Sequence, residues 1–369
     1  MRYAKLWMQI PGESCSLLVV YCPAILDAWR THMSIKIAIN GFGRIGRLVA
    51  RHIRARDGFD LVAVNDLTSP DMLGYLFAHD SVHGPYRGTV EVDGSDLVID
   101  GDRMQVLAER DPAKLPWQEL GVDYVFEATG LFRSREKAGA HLTAGAKRVV
   151  ITAPGQDVDE TFVMGVNNEL YDPAKHFVIS NASCTTNCLA PMAKVLHETV
   201  GIKHGWLTTT HAYTLDQSLL DTQHPKDMRR ARAAAINIIP SSTGAAKAIG
   251  LVFPVLSGKL HGAAMRVPVA DGSVCDLTFV AARESSVDEL QGAFVDAANG
   301  SLKGILRAAD EALVSTDIIG ETHSTVVDLP LISQIAPDFF RVVGWYDNEN
   351  AYALRCVDLL EYMVGRENA

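Results

Sequence analysis

The chain has 369 residues, of which 48% are hydrophobic, 21% charged and 7% aromatic. That length suits about two domains of roughly 150 residues, and it excludes a disulfide-stapled miniprotein and an intrinsically disordered chain. The 34 basic and 44 acidic side chains leave a net charge of −10, which opposes long-range attraction to nucleic acid or an anionic membrane. Six cysteines, Cys15, Cys22, Cys184, Cys188, Cys275 and Cys356, form no CxxC pair, so reduced thiols in a cytoplasmic protein are expected.

No run of about 20 apolar residues occurs, and no membrane span is expected. Residues 1–33 read as an extension of unknown role. Ser16-Leu17-Leu18-Val19-Val20-Tyr21-Cys22-Pro23 resembles a short signal-peptide core, yet no small-residue cleavage pattern follows it.

Residues 35–40 form a short, Ile-rich run that suits a strand buried on both faces of a parallel sheet. Gly41-Phe42-Gly43-Arg44-Ile45-Gly46 follows as GxGxxG, and residues 47–56 then carry Leu48, Val49, His52 and Ile53 at helical spacing. Such glycines permit a tight turn and a close backbone approach, while the helix start offers N–H groups and a positive dipole end to a pyrophosphate. Residues 61–66 read as a second strand ending in Asp66, about 20 residues past the motif, where an acid would bind a ribose 2′-hydroxyl and repel a 2′-phosphate. NAD is therefore the expected cofactor. Strand-like runs at 124–126, leading into Glu127-Ala128-Thr129-Gly130, and at 149–151 alternate with a helix-like 134–144, which extends a doubly wound sheet.

Residues 176–180 are strand-like, and Asn181-Ala182-Ser183 supplies turn and cap residue types before Cys184. A helical run to about Val200 follows. A cysteine in the first turn of a helix gains thiolate stability from the dipole and becomes a candidate nucleophile. Cys188 lies one turn further on. The pair admits metal ligation, a redox couple, or one nucleophile beside a packed thiol. Zinc spacing is lacking, and no metal is expected.

These residues resemble the phosphorylating glyceraldehyde-3-phosphate dehydrogenases, through INGFGRIGR (39–47), SNASCTTNCLAP (180–191), HAYT (211–214), RRARAAAINIIPSSTGAAKA (229–248), MRVPV (265–269) and WYDNE (345–349). The resemblance runs from about Met33 to the C-terminus. It implies an α/β subunit with a Rossmann-type doubly wound NAD-binding domain, 34–183 plus a C-terminal helix 348–369, and a mixed α/β catalytic domain, 184–347. A homotetramer is also implied.

By the same resemblance Cys184 is the nucleophile and His211 its base, with oxidation of glyceraldehyde 3-phosphate to 1,3-bisphosphoglycerate through a cysteine thioester. Arg44, Ile45, Asp66, Arg110, Thr152 and Asn348 are implied against NAD. Thr214 and Arg266 are implied for the substrate's phosphate, with Ser183, Thr185, Arg229, Thr243 and Gly244 near the incoming inorganic phosphate; Arg229 and Arg230 are adjacent, so the arginine could be either. Two positions depart from the family pattern. Asn350-Ala351 stands where an aromatic or bulky residue and glycine are usual, close to the nicotinamide side. Thr222-Gln223 stands where strongly NAD-selective relatives place Leu-Pro. Erythrose-4-phosphate dehydrogenase, or an idle redox-sensing protein on the same fold, are the competing readings.

Overall fold

The computed structural model describes residues 34–225 and 227–368, so the extension expected at 1–33 lies outside the described residues. A nine-stranded sheet contains β1 (Ile35–Asn40), β2 (Phe59–Asn65), β3 (Val90–Asp93), β4 (Asp96–Ile99), β5 (Asp102–Leu107), β6 (Tyr124–Glu127), β7 (Arg148–Ile151), β8 (Glu160–Thr161) and β9 (Val178–Ser180). Their spatial order is 3-4-5-2-1-6-7-9-8. From β5 to β8 every neighbouring pair is parallel, and only the β3-β4-β5 edge is antiparallel. Ile37, Ala38, Ile39, Val125 and Phe126 are fully covered, which is why β1 and β6 read as unbroken apolar runs. The chain passes from β1 to β2 on one side and later places β6 on the other, so the carboxyl ends of these strands part around a crevice.

The first helix, α1 (Arg44–Arg54), begins three residues before the expected Arg47 and takes in the last motif glycine. A Cβ on Gly46 would sit 2.1 Å from the Gly41 carbonyl oxygen, so the glycine is what lets the helix pack directly on the loop before it. The run at 134–144 forms two four-residue helices, Arg135–Ala138 and Ala140–Thr143, separated at Gly139. Further helices are α2 (Pro70–Ala78), α3 (Cys184–Val200), α4 (Ala245–Val252), α5 (Val287–Asn299) and α6 (Asn350–Glu367). Among the described residues no helix is long and apolar enough to cross a membrane.

An eight-stranded sheet follows, from β10 (Ile202–Ala212), β11 (Ile239–Ser242), β12 (Leu260–Val267), β13 (Ser273–Ala281), β14 (Leu306–Ala309), β15 (Thr325–Asp328), β16 (Ser333–Ala336) and β17 (Phe339–Tyr346). Its order is 11-12-10-13-17-15-14, with β16 on β17, and it mixes the parallel pairs β10–β12 and β14–β15 with antiparallel ones. Helix α3 lies across β10, β13, β15 and β17, and its Leu189, Met192 and Leu196 join Leu207, Leu277 and Val342 in one core. The last helix, α6, returns to the first sheet, where Tyr352, Cys356, Leu360 and Met363 pack with Ile39, Val49 and Phe126.

The start of α6 carries a buried ion cluster between the two sheets. Arg44 binds Asp80 (2.8 Å) and Glu349, and His83 Nε2 lies 3.2 Å from Glu349 and 3.4 Å from Asp271. Asp347 accepts the backbone N–H groups of Gly320, Glu349 and Asn350. Asp271 faces it without solvent exposure, and burial followed by the Asp347 charge pushes its carboxyl up to about 9. A carboxyl raised on folding binds a proton that the unfolded chain gives up, so its stabilising share is complete below about pH 4 and is lost as pH rises toward 9. Asp271→Asn, which keeps a neutral donor there, is expected to flatten this alkaline loss in urea midpoints measured from pH 5 to 9; an unchanged slope would assign the pH dependence to other groups.

Candidate active site

The glycine loop, β2 and β6 frame a cleft of about 810 Å³ that runs from the carboxyl edge of the first sheet to the start of α3. Gly41 takes φ +95°, and a Cβ there would lie 2.7 Å from the Thr129 backbone nitrogen. Gly43, by contrast, has nothing within 4 Å of where a Cβ would stand. It caps α1 without a side-chain hydrogen bond, so the first-turn N–H groups stay available to an anion laid over bare backbone. Asp66, at the end of β2, accepts the Phe42 N–H at 2.9 Å and the Thr68 N–H at 3.1 Å, which fixes its carboxylate at the cleft edge. These features fit a dinucleotide, with pyrophosphate at the helix start and a ribose diol at Asp66.

Beneath the cleft a buried polar network ties the strand ends together. Trp117 Nε1–H donates to His141 Nδ1 (3.0 Å), so the proton on His141 resides at Nε2 and is given to Glu127 (3.1 Å). Glu127 also accepts from Asn40 Nδ2 (2.6 Å) and from the Thr129 N–H (2.9 Å), while Asn65 donates to Asn40 (2.7 Å). The termini of β1, β2 and β6 are thereby held in one hydrogen-bonded layer.

Arg44, Ile45, Asp66, Arg110, Thr152 and Asn348 all line the cleft, as do Ser183, Cys184, His211 and Thr214. The Arg44 guanidinium is held there by Asp80 and Glu349. Asn348 is oriented by its Oδ1, which accepts from Ser273 Oγ at 2.5 Å. Thr129, Leu131, Phe132, Pro154 and Tyr352 also form the walls and went unread in the sequence. Position at the carboxyl ends of β6 and β7 is the signal that could have found the first four.

Cys184 begins α3. Ala182 before it has φ +56°, a conformation that costs a non-glycine residue roughly 1–2 kcal/mol, and the Tyr352 hydroxyl donates to its carbonyl at 3.0 Å. Ser183 caps the helix through the Thr186 N–H at 3.1 Å. Cys184 Sγ lies 3.4 Å from His211 Nε2, a contact that joins the end of the first sheet to β10 of the second. Burial pushes the Cys184 thiol up to about 11, opposed by the Arg266 charge and the Thr185 hydroxyl. Burial and then the Arg266 charge push His211 down to about 3. Burial thus opposes charge on both partners, while the helix start and the Arg266 guanidinium favour the thiolate.

Thr185, Arg229, Thr243, Gly244 and Arg266 lie outside the residues that line the cleft. Arg266 is nevertheless in place, 2.8 Å from His211 and 3.4 Å from the Thr214 hydroxyl. Thr185 turns its hydroxyl inward to Tyr346 (2.9 Å) and is nearly covered. Thr243 accepts the Ala245 N–H at 3.2 Å just before α4. Arg229 is exposed, whereas the charge of Arg230 bears on both His211 and Arg266. Between the adjacent arginines, the structure turns Arg230 toward the site in place of Arg229. Asn350 bonds His52 (3.0 Å) and the Gly320 and Glu321 carbonyls, and Tyr352 is the residue of that segment that meets the cleft. Thr222 and Gln223 are exposed and off the cleft. Elsewhere, His83, Asp271 and Asp347 bring three potential metal-ligand atoms within 4.8 Å of one another, beside Glu349, where the Arg44 guanidinium already supplies positive charge.

Comparison with known proteins gives the same answer over most of the chain. Residues 35–135 match the family model for the glyceraldehyde 3-phosphate dehydrogenase NAD binding domain, and residues 183–348 match that for the C-terminal domain. The glyceraldehyde-3-phosphate dehydrogenase of Priestia megaterium (strain DSM 319 / IMG 1521) is 52% identical over 334 residues, covering 90% of this chain and 99% of that protein. That of Geobacillus stearothermophilus is 53% identical with the same coverage, and glyceraldehyde-3-phosphate dehydrogenase 1 of Bacillus subtilis (strain 168) is 53% identical over 332 residues, again 90% and 99%. With the glycine loop, the acid at the end of β2 and the Cys184–His211 contact in place, the chain belongs to the glyceraldehyde 3-phosphate dehydrogenase family and is an NAD-dependent oxidoreductase.

Proposed function

We propose that the protein carries out the oxidative phosphorylation of D-glyceraldehyde 3-phosphate to 1,3-bisphosphoglycerate through a thioester on Cys184. The observation that carries this reading is the 3.4 Å contact of Cys184 Sγ with His211 Nε2 on the floor of the dinucleotide cleft. Arg266 and Thr214 beside that contact are a guanidinium and a hydroxyl suited to the substrate's phosphate. Arg230, and the backbone at Ser183 and Thr185, suit the inorganic phosphate; Thr243 and Gly244 at the start of α4 complete that set.

Cys184 sulfur bonds to the aldehyde carbon, and the thiol proton passes through His211 to the oxygen. The first-turn N–H of Cys184, which has no intrahelical acceptor, stabilises the oxygen as charge develops. Bound NAD supplies the two-electron acceptor. His211 takes the hydroxyl proton as the hemithioacetal becomes a thioester. Inorganic phosphate then adds to the thioester carbon, the carbon–sulfur bond breaks, and Cys184 sulfur is returned. The parts on the first side divide as 34–183 with 348–369, and the catalytic part as 184–347.

A homotetramer is supported by the apolar side chains that the segment after β10 leaves open: Leu219, Leu220, Met228, Ile236 and Ile238 are 70–91% exposed. A reducing, cytoplasmic setting accords with the four described cysteines, all free.

Purified protein with glyceraldehyde 3-phosphate and NAD is expected to form NADH only when inorganic phosphate is present; phosphate-independent oxidation, or a preference for erythrose 4-phosphate, would overturn the acyl-phosphate product. Cys184→Ser is expected to lower kcat by at least about 10³-fold with NAD binding retained by fluorescence titration, and His211→Asn by about 10²–10⁴-fold. For the cofactor, Asp66→Asn is expected to raise KM for NAD about tenfold while lowering that for NADP; an unchanged ratio in initial rates would remove Asp66 as the selector.

A further inference from the structure

Three polar atoms beside the nucleophile stand within 3 Å of one another, so that their hydrogens compete. His211 Nδ1 is 2.7 Å from the Ala212 carbonyl oxygen, Arg266 Nη1 is 2.9 Å from the same oxygen, and Nη1 and Nδ1 are 2.8 Å apart. The register causes this, because His211 of β10 lies directly opposite Arg266 of β12 in a parallel pair. An arginine is always protonated, so Nη1 approaches only as a donor. If Nδ1 carries the ring proton, two donors face each other at 2.8 Å; if Nδ1 is bare, it accepts from Arg266 but opposes the carbonyl oxygen. Either arrangement leaves one side of the triangle unfavourable. A bare Nδ1 moreover puts the ring proton on Nε2, pointing at Cys184, where a base needs a lone pair.

Arg266 is also incompletely satisfied where it stands. Among the described residues its Nε is buried with no hydrogen-bond partner, and Thr214 Oγ1 is at the limit of reach, 3.4 Å from Nη1. An anion placed at Thr214 and Arg266 would supply the missing acceptors and draw the guanidinium off the ring. His211 Nδ1–H would then keep the Ala212 carbonyl as its only partner, and Nε2 would face Cys184 Sγ as an acceptor.

We propose that Arg266 is a positioning residue that couples the substrate's phosphate to the tautomer of His211: in the resting site it holds the histidine back from acting as a base, and a phosphate dianion releases it. This rests on the assignment of Arg266 and Thr214 as the phosphate anchor. It differs in sign from simple electrostatics. The Arg266 charge favours the Cys184 thiolate, so a dianion that merely neutralised it would make the thiol less reactive.

The test uses the full chain without NAD at a fixed neutral pH, with inorganic phosphite as a dianion small enough to leave the thiol open. The rate of Cys184 alkylation by iodoacetamide and the ring ¹⁵N shifts of His211, assigned with His211→Asn, are followed together. Phosphite is expected to accelerate alkylation by about fivefold, the shift that one net hydrogen bond supports, and to move the Nε2 resonance from protonated to bare. In Arg266→Gln the bare Nε2 form is expected without phosphite, and phosphite should then change neither readout. Slower or unchanged alkylation with unmoved ¹⁵N shifts in the unmutated protein would overturn the coupling even if Arg266→Gln fails to fold. Competition between phosphite and glyceraldehyde 3-phosphate in steady-state rates separates the two claims: phosphite that competes but moves neither readout leaves the anchor standing and removes the coupling, and phosphite that does not compete removes both.

Discussion

Cys184 and His211 meet across 3.4 Å where the end of the first sheet adjoins β10 of the second. Neither residue can be placed without the other half of the molecule. Cys184 is set by β9, the strained Ala182 and the Ser183 cap, and His211 by β10, an inner strand of the sheet on which α3 packs. The helix that carries the thiol is thus also the main packing element beneath the histidine. Small shifts between the sheets act directly on the reacting atoms, and the interior is packed too closely to absorb them elsewhere.

The buried charges around the start of α6 serve that alignment. Asp347 collects three backbone N–H groups from two separate segments, and Arg44 spans from α1 to Glu349 and Asp80. Breaking such a buried pair by removing one partner costs roughly 3–5 kcal/mol, although the intact pair is worth little over a well-packed apolar substitute. Its value here is geometric. The same arginine that closes the ion cluster contributes backbone to the glycine loop, so the cofactor cleft and the ion cluster share a residue.

Much of this was legible in the residues. The glycine loop could be read because Gly41 and Gly46 have no room for a Cβ and Gly43 leaves its space open, three local demands that fix the motif. Cys184 could be read because a cap and a helix start leave a local signature. The Arg266–His211 pairing carried no such mark: it follows from the register of two parallel strands 55 positions apart. Arg229 and Arg230 sit in a turn where one step along the chain exchanges solvent for the site, and Thr185 has a hydroxyl whose direction is decided by Tyr346, far away in sequence. Burial around the thiol carried no local mark either, since position at a helix start is local whereas burial is a property of the whole fold.

The return of α6 to the first sheet has a consequence for how the chain is made. Tyr352, Cys356, Leu360 and Met363 complete the core that β1 and α1 begin some 300 residues earlier, so a nascent chain emerging from the ribosome carries an unfinished cofactor half until this helix is free. That half must wait, with apolar surface open, while the second sheet is synthesised and closes on itself. A chain truncated by only this helix would retain Cys184, His211 and Arg266 and still lack Tyr352 and the surface on which the cleft is built.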